Sequence, residues 1–261
     1  ETPAVVSAVS LGGAEMTVRE DGSVLSTSLN PAEDVHTITL STESTGLRTL
    51  MLEAFADPAL PGGRVGRAGN GNAVLQGITA EVISRTDPDR RRTLGFTWAW
   101  ADVEQPDGDF RVVNALRDDD GRVWAVDAHR FAGDRNAIFV TEEPFGYEGG
   151  SEIVVRLDYR GPYPQHALGR TRLRVGRTSD AALDRMPHAA TNWYIVGPFA
   201  TSNGAEAYDT AYGPEEAGPL SFDRRYGPHQ WRYAPGVLEA QPVNLAQGIG
   251  AEYVGREIYV P

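Results

Sequence analysis

"GGRVGRAGNGNAVLQGITAEVIS" (Gly62–Ser84) decides between two folds. Its crowded glycines beside Arg64 and Arg67 resemble a phosphate cradle, which would place the chain among α/β nucleotide binders. A Walker loop needs Gly-Lys followed by Ser or Thr, and all 24 cations of this chain are arginine. A dinucleotide fingerprint needs a helix after the glycines, so that its amide dipoles meet the pyrophosphate. Here "AVLQGITAEV" alternates like a strand. The phosphate reading fails on context, and the glycines are expected to shape an ordered loop between strands. Asn70 and Asn72 would bond back to that loop's own backbone.

The same alternation runs outward in both directions. "HTITLST" (His36–Thr42), "RTLMLEA" (Arg48–Ala54), "TLGFTWAW" (Thr93–Trp100), "AIFVTE" (Ala137–Glu142), "EIVVRLDY" (Glu152–Tyr159) and "TRLRVGR" (Thr171–Arg177) read as strands. "MTVREDGSVLSTS" (Met16–Ser28) reads as a hairpin. The sole helical signal is "SDAALDRM" (Ser179–Met186), with Ser179 as N-cap. Many short strands with turn chemistry between them predict an all-β fold, an antiparallel sandwich or barrel. The expected organisation is a first module over residues 1–178, a connector with a short helix over 179–191, and an incomplete second sandwich over 192–261. A chain opening at Glu1 without a signal peptide reads as a processed piece of something longer.

Composition removes several functions. A net charge of −12 argues against nucleic acid, which needs clustered cations. With no cysteine, disulfides, thiolate metal sites and covalent haem are excluded within the chain. No apolar run reaches the ~18 residues of a membrane helix. The five histidines lie far apart, without metal-ligand spacing. Gly-x-Ser-x-Gly, His-Glu-x-x-His and Ser-x-x-Lys patterns are missing. A glycan-cleaving enzyme would use two of the 36 carboxylates, but no pair is singled out.

"LPGGRVGRAGNGNAVLQGITAEV" (Leu60–Val82) resembles the "LPGGGPGRAxNGNFVLxEFEV" signature of non-catalytic β-sandwich segments in large planctomycete-type cytochrome c proteins. The likeness continues through Asp21–Pro61, Trp98–Asp127 and "HALGRTRLRV" (His166–Val175). "NWYIVGPF" (Asn192–Phe199), "AYDTAYGPEE" (Ala207–Glu216) and "AEYVGREIYVP" (Ala251–Pro261) are similar to a second module that often follows. The resemblance implies a galactose-binding-like jelly roll, related in architecture to discoidin and carbohydrate-binding modules. It also implies an accessory role in a protein exported to the periplasm or cell surface, with haem in another region.

Two candidate sites follow. "NALRDDDGRVWAVD" (Asn114–Asp127) offers hard oxygen ligands for a structural calcium, from Asp118, Asp119 and Asp120 and the carbonyl of Ala115. Discoidin-like modules hold calcium in a loop resembling A-x-DG-D-x-x-T-x-W. Aligned on Ala115 and Trp124, this chain has Arg117 and Arg122 where Asp and Thr would stand, which weakens a cation site. Sugar recognition needs an aromatic platform and planar polar groups. Tyr147, Tyr163 and His166 are the loop aromatics, and Arg130 and Arg160 the forked donors. Trp124 is expected to anchor the core under its loop, and at least one of Trp98 and Trp100 to point into the core. The leading function is a non-catalytic carbohydrate-binding module. The rival is a structural domain that docks on partner domains or subunits through an exposed apolar patch.

Overall fold

The computed structural model describes residues 1–106, 108–116 and 121–179, and beyond them the strands at 193–199, 201–202, 205–206, 225–226, 229–234, 237–241, 248–253 and 256–260. The chain divides into two compact units, 1–180 and 181–261. In the first unit the strands are β1 (Ala4–Ser10), β2 (Glu15–Val18), β3 (Val24–Thr27), β4 (Val35–Thr42), β5 (Leu47–Ala54), β6 (Val74–Leu75), β7 (Gly77–Ser84), β8 (Arg91–Thr93), β9 (Phe96–Ala101), β10 (Trp124–Ala125), β11 (Arg135–Phe145), β12 (Ser151–Asp158) and β13 (Arg170–Gly176). One sheet has the order β1-β4-β12-β7-β8, the other β2-β3-β13-β5-β11-β9, and β10 pairs with β6. Every described pairing is antiparallel. The fold is all-β, as its alternating sequence predicts.

The two sheets share one hydrophobic core. Ile38, Leu40, Val82, Ile153, Val155 and Leu157 enter it from the five-stranded sheet, and Leu50, Leu52, Phe139, Leu173 and Val175 from the six-stranded one. Period-two alternation puts these residues on one face of each strand, and each fully buried aliphatic or aromatic side chain contributes roughly 1.5–3 kcal/mol. Trp124 is fully buried, and its Nε1 donates to Val103 O at 3.0 Å. Strand β9 corrects one expectation: Ala99 and Ala101 enter the core, while Trp98 and Trp100 are half-buried on the opposite face. A 3₁₀ turn at Val112–Leu116 packs against β9, so small methyl side chains are what that interface accommodates.

Register separates the two ends of the sheets. At one end Thr42, Ser151 and Ser84 align, and at the other Val35, Asp158 and Gly77, seven residues or about 23 Å away. The turns 43–46 and 146–150 close the first end. Segments 28–34, 55–73, the described residues of 102–134, and 159–169, the last three long, gather at the second. Glu1 is fixed at the short-turn end, its nitrogen donating to Val175 O at 2.7 Å and its carboxylate accepting from Ser44 Oγ at 2.7 Å.

The glycine stretch belongs to the long-loop end and leads into β6 and β7, with no helix following it. A Cβ on Gly66 would lie 1.8 Å from Asn72 O, so only glycine fits there. Gly71 takes the left-handed conformation (φ +77°), and Asn70 Oδ1 accepts from Asn72 N at 3.0 Å. Buried Arg67 donates to Ser26 Oγ at 2.9 Å and to Leu29 O, which fastens the loop to the chain after β3.

In the second unit, β14 (Trp193–Phe199), β20 (Gly248–Tyr253) and β21 (Arg256–Val260) form one antiparallel sheet. β17 (Arg225–Tyr226), β18 (His229–Ala234) and β19 (Val237–Gln241) form another, and β15 (Thr201–Ser202) pairs with β16 (Ala205–Glu206). From residue 180 on, the helix expected over Ser179–Met186 lies outside the described residues. Among the described residues, no helix is long and apolar enough to cross a membrane.

Candidate ligand-binding site

The long-loop end of the first unit contains an open cleft of about 540 Å³, lined by Glu33, Gln76, Gly121, Asp158, Arg160, Gly161 and Pro162. This is within the size range of small-ligand sites. Each lining group comes from a strand end or the loop beside it: Gln76 precedes β7, Asp158 closes β12, and Glu33 lies just ahead of β4. Gln76 Oε1 is buried without a hydrogen-bond partner in the protein. Asp158 holds Arg160 through its Nε at 3.0 Å and accepts the Arg160 amide at 2.9 Å, so the guanidinium has a fixed position at the rim.

Beyond Pro162 the chain raises an aromatic wall. Tyr163 is 38% exposed and stands edge-on to Phe110 and to His166, each at 6.0 Å between ring centroids. His166 Nδ1 is 2.8 Å from Pro164 O, which fixes its ring. Phe110 packs against the small cluster of Val74, Val123 and Ala125. Edge-to-face rings of this kind gain roughly 0.5–1.5 kcal/mol beyond their buried area. The loop sequence points to Tyr163, His166 and Arg160; Phe110, Gln76, Glu33 and Asp158 join them only through the fold.

The other expected ligand residues lie elsewhere. Tyr147 is at the short-turn end, half-buried against the core, with the Arg90 guanidinium 4.7 Å above its ring. Arg130 is at the long-loop end, but Asp127 takes its Nε at 2.7 Å and its Nη2 at 2.9 Å. Arg130 is paired in the same bidentate way as Arg160 with Asp158, but unlike Arg160 it does not line the cleft.

Of the calcium candidates, Asp118, Asp119 and Asp120 lie outside the described residues, and Ala115 is buried in the 3₁₀ turn. Two features bear on the fit. Neighbouring Asn114 is fully buried and its Oδ1 accepts no hydrogen bond from the protein. Arg122 is drawn to Asp109 at 3.5 Å. Among the described residues, no three His, Asp or Glu side chains converge as metal ligands.

Behind the cleft, Asp34 joins the loop to the sheets. It accepts from Ser10 Oγ at 2.6 Å, Gly12 N at 2.8 Å and Val35 N at 2.7 Å, and His36 Nε2 lies 3.2 Å away. Burial pushes its pKa upward, but the bonds from His36, Ser10 and Gly12 prevail and hold it well below the ordinary carboxylate value. Asp109 is likewise held low: Arg111, Asn114 and Arg122 outweigh its burial. The Ser23 hydroxyl lowers Asp21 to about 2, with Arg170 adding to the effect. Ionised, hydrogen-bonded carboxylates of this kind hold loops in place.

Comparison of the chain with protein-family models, curated proteins and solved structures finds no match.

Proposed function

We propose that the first unit is a jelly-roll β-sandwich acting as a non-catalytic, carbohydrate-binding module of a larger exported protein. The pairing order supports the jelly roll. β3 pairs with β13, β4 with β12, β5 with β11 and β7 with β8, so the chain wraps as one long folded hairpin. The observation that carries the ligand class is the cleft itself, lined by the Asp158-anchored Arg160 guanidinium and by Pro162, the chain neighbour of the partly exposed Tyr163 ring. That combination offers a stacking face for a sugar ring and planar partners for its hydroxyls. Among the described residues, the carboxylates whose pKa departs clearly from the ordinary value, Glu1, Asp21, Asp34 and Asp109, all depart downward. A general acid needs the opposite shift. Asp118, Asp119 and Asp120, with the Ala115 carbonyl, are proposed to hold a structural calcium.

The test is a glycan array on the purified chain, with calcium and then with chelator. The expected result is binding that Tyr163→Ala lowers about tenfold, equivalent to ~1.4 kcal/mol, and that chelation weakens. A folded protein that binds nothing on the array overturns the carbohydrate reading.

A docking domain is the second reading, and β1 favours it. This edge strand exposes Val6 (55%) and Val9 (58%), followed by Leu11 (75%), and "AVVSAVS" carries none of the charges or prolines that usually guard an edge. Partner domains or subunits would add a strand there.

A further inference from the structure

We infer that the outer face of the six-stranded sheet bears a second glycan subsite, a flat platform made by Trp98 and Trp100 for an extended polysaccharide. The inference rests on the carbohydrate reading of the first unit and concerns a surface remote in kind from the loop cleft. Trp98 and Trp100 project from the same side of β9, about 6.7 Å apart along the strand, because Ala99 and Ala101 face the core. β9 is the edge of its sheet, so the strand side of this pair is open.

Register places an outer-face residue of β11 beside each tryptophan. Val140 is registered against Trp98 and is only 2% exposed, yet it does not belong to the core cluster. Its cover therefore comes from the outer face, where Trp98 is the large side chain opposite it. Trp98 is itself half-buried, so part of its surface stays open to solvent. Trp100 is registered against Ile138 in the same way, and Ile138 against Met51.

The surroundings select the ligand. A protein interface needs about 20–30 residues per side with an apolar centre. Here the outer-face apolar residues are five, Trp98, Trp100, Ile138, Val140 and Met51, spread over three strands, and the next row turns polar. Asn136, Glu53 and Arg172 form one cross-strand row, and Arg174 ends the row of Trp100. Glu53 accepts from Arg172 Nε at 2.7 Å. Arg174 is half exposed and lies 3.9 Å from Glu53, too far for a direct hydrogen bond. Two consecutive rings beside a row of charge-paired donors and acceptors suit successive sugar units of one chain, which have apolar faces and hydroxyl edges.

The test uses soluble barley β-glucan, xylan and pectic galactan in affinity gels with the full chain. Retardation by at least one polymer is expected. Trp98→Ala and Trp100→Ala should each weaken it about tenfold, while array binding that depends on Tyr163 stays unchanged. Because Trp98→Ala uncovers Val140, the wild-type chain supplies a second readout. N-bromosuccinimide oxidation with and without the retained polymer, mapped by mass spectrometry, should show Trp98 and Trp100 protected and Trp124 unreactive throughout. Wild-type retardation on the polymer with no protection and no effect of either variant overturns the platform. If Tyr163→Ala abolishes binding in that case, the cleft reading survives alone; if no polymer and no array sugar binds, both fall.

Discussion

The two ends of the first unit solve the same problem with different means. At the short-turn end, backbone bonds and surface pairs are sufficient: Gly150 N donates to Tyr147 O at 3.1 Å, and exposed Arg85 pairs with Glu43. At the other end the loops have little ladder of their own, so buried side chains replace it. Arg135, 2% exposed, donates to Val126 O at 2.6 Å and Phe131 O at 2.5 Å, while Arg67 and Asn72 brace neighbouring segments. Loops fixed in this way can hold a cleft open without ligand.

That contrast can be broken by substitution. Trp124→Ala should cost about 4 kcal/mol, because it removes the largest buried side chain under the long loops; urea midpoints at constant m read it. A loss below about 1 kcal/mol would mean that those loops do not depend on a core. Glycine substitutions compare the two ends directly. Gly66→Ala meets backbone at 1.8 Å and should cost on the order of 3 kcal/mol, whereas Gly46→Ala meets open space and bears only its left-handed φ of +64°, about 1 kcal/mol. Equal losses would erase the distinction.

Acid sharpens the comparison further. Asp34 has a folded-state pKa below its unfolded value of 3.8, so its stabilisation is complete above that pH and is lost as pH falls below it. Thermal melts between pH 5 and 2 should show this decline, and Asp34→Asn should flatten it; an unchanged slope in that variant would remove Asp34 as the anchor. The smallest effect is expected from Tyr147→Ala. It sits at the end away from the cleft, so array binding should equal wild type, and any loss of affinity would move the site.

Much of this architecture is legible in the sequence, because period-two alternation has one physical cause, a half-buried pleated strand. β4, β5, β7, β11, β12 and β13 all follow from it. β1 is harder to read: its apolar residues are exposed at an edge, so hydrophobicity there does not report burial. Trp98 and Trp100 mislead for a related reason. Size suggests core, but packing of the 3₁₀ turn leaves room only for alanine. Tyr163, His166 and Arg160 are legible as a group because one loop carries them. Phe110 is fifty-three residues from Tyr163 in sequence and meets it only through tertiary structure.

The anchoring of Glu1 beside Val175 has a consequence of its own. Entry and exit of the first unit lie next to each other, at the end opposite the cleft. Joining them with a few residues and opening the chain within 43–46 should leave both sheets intact, since circular permutation succeeds where termini are near and loop tips are exposed. Such a unit can be spliced into another polypeptide like a cassette, with its long loops and their cleft directed away from the point of attachment.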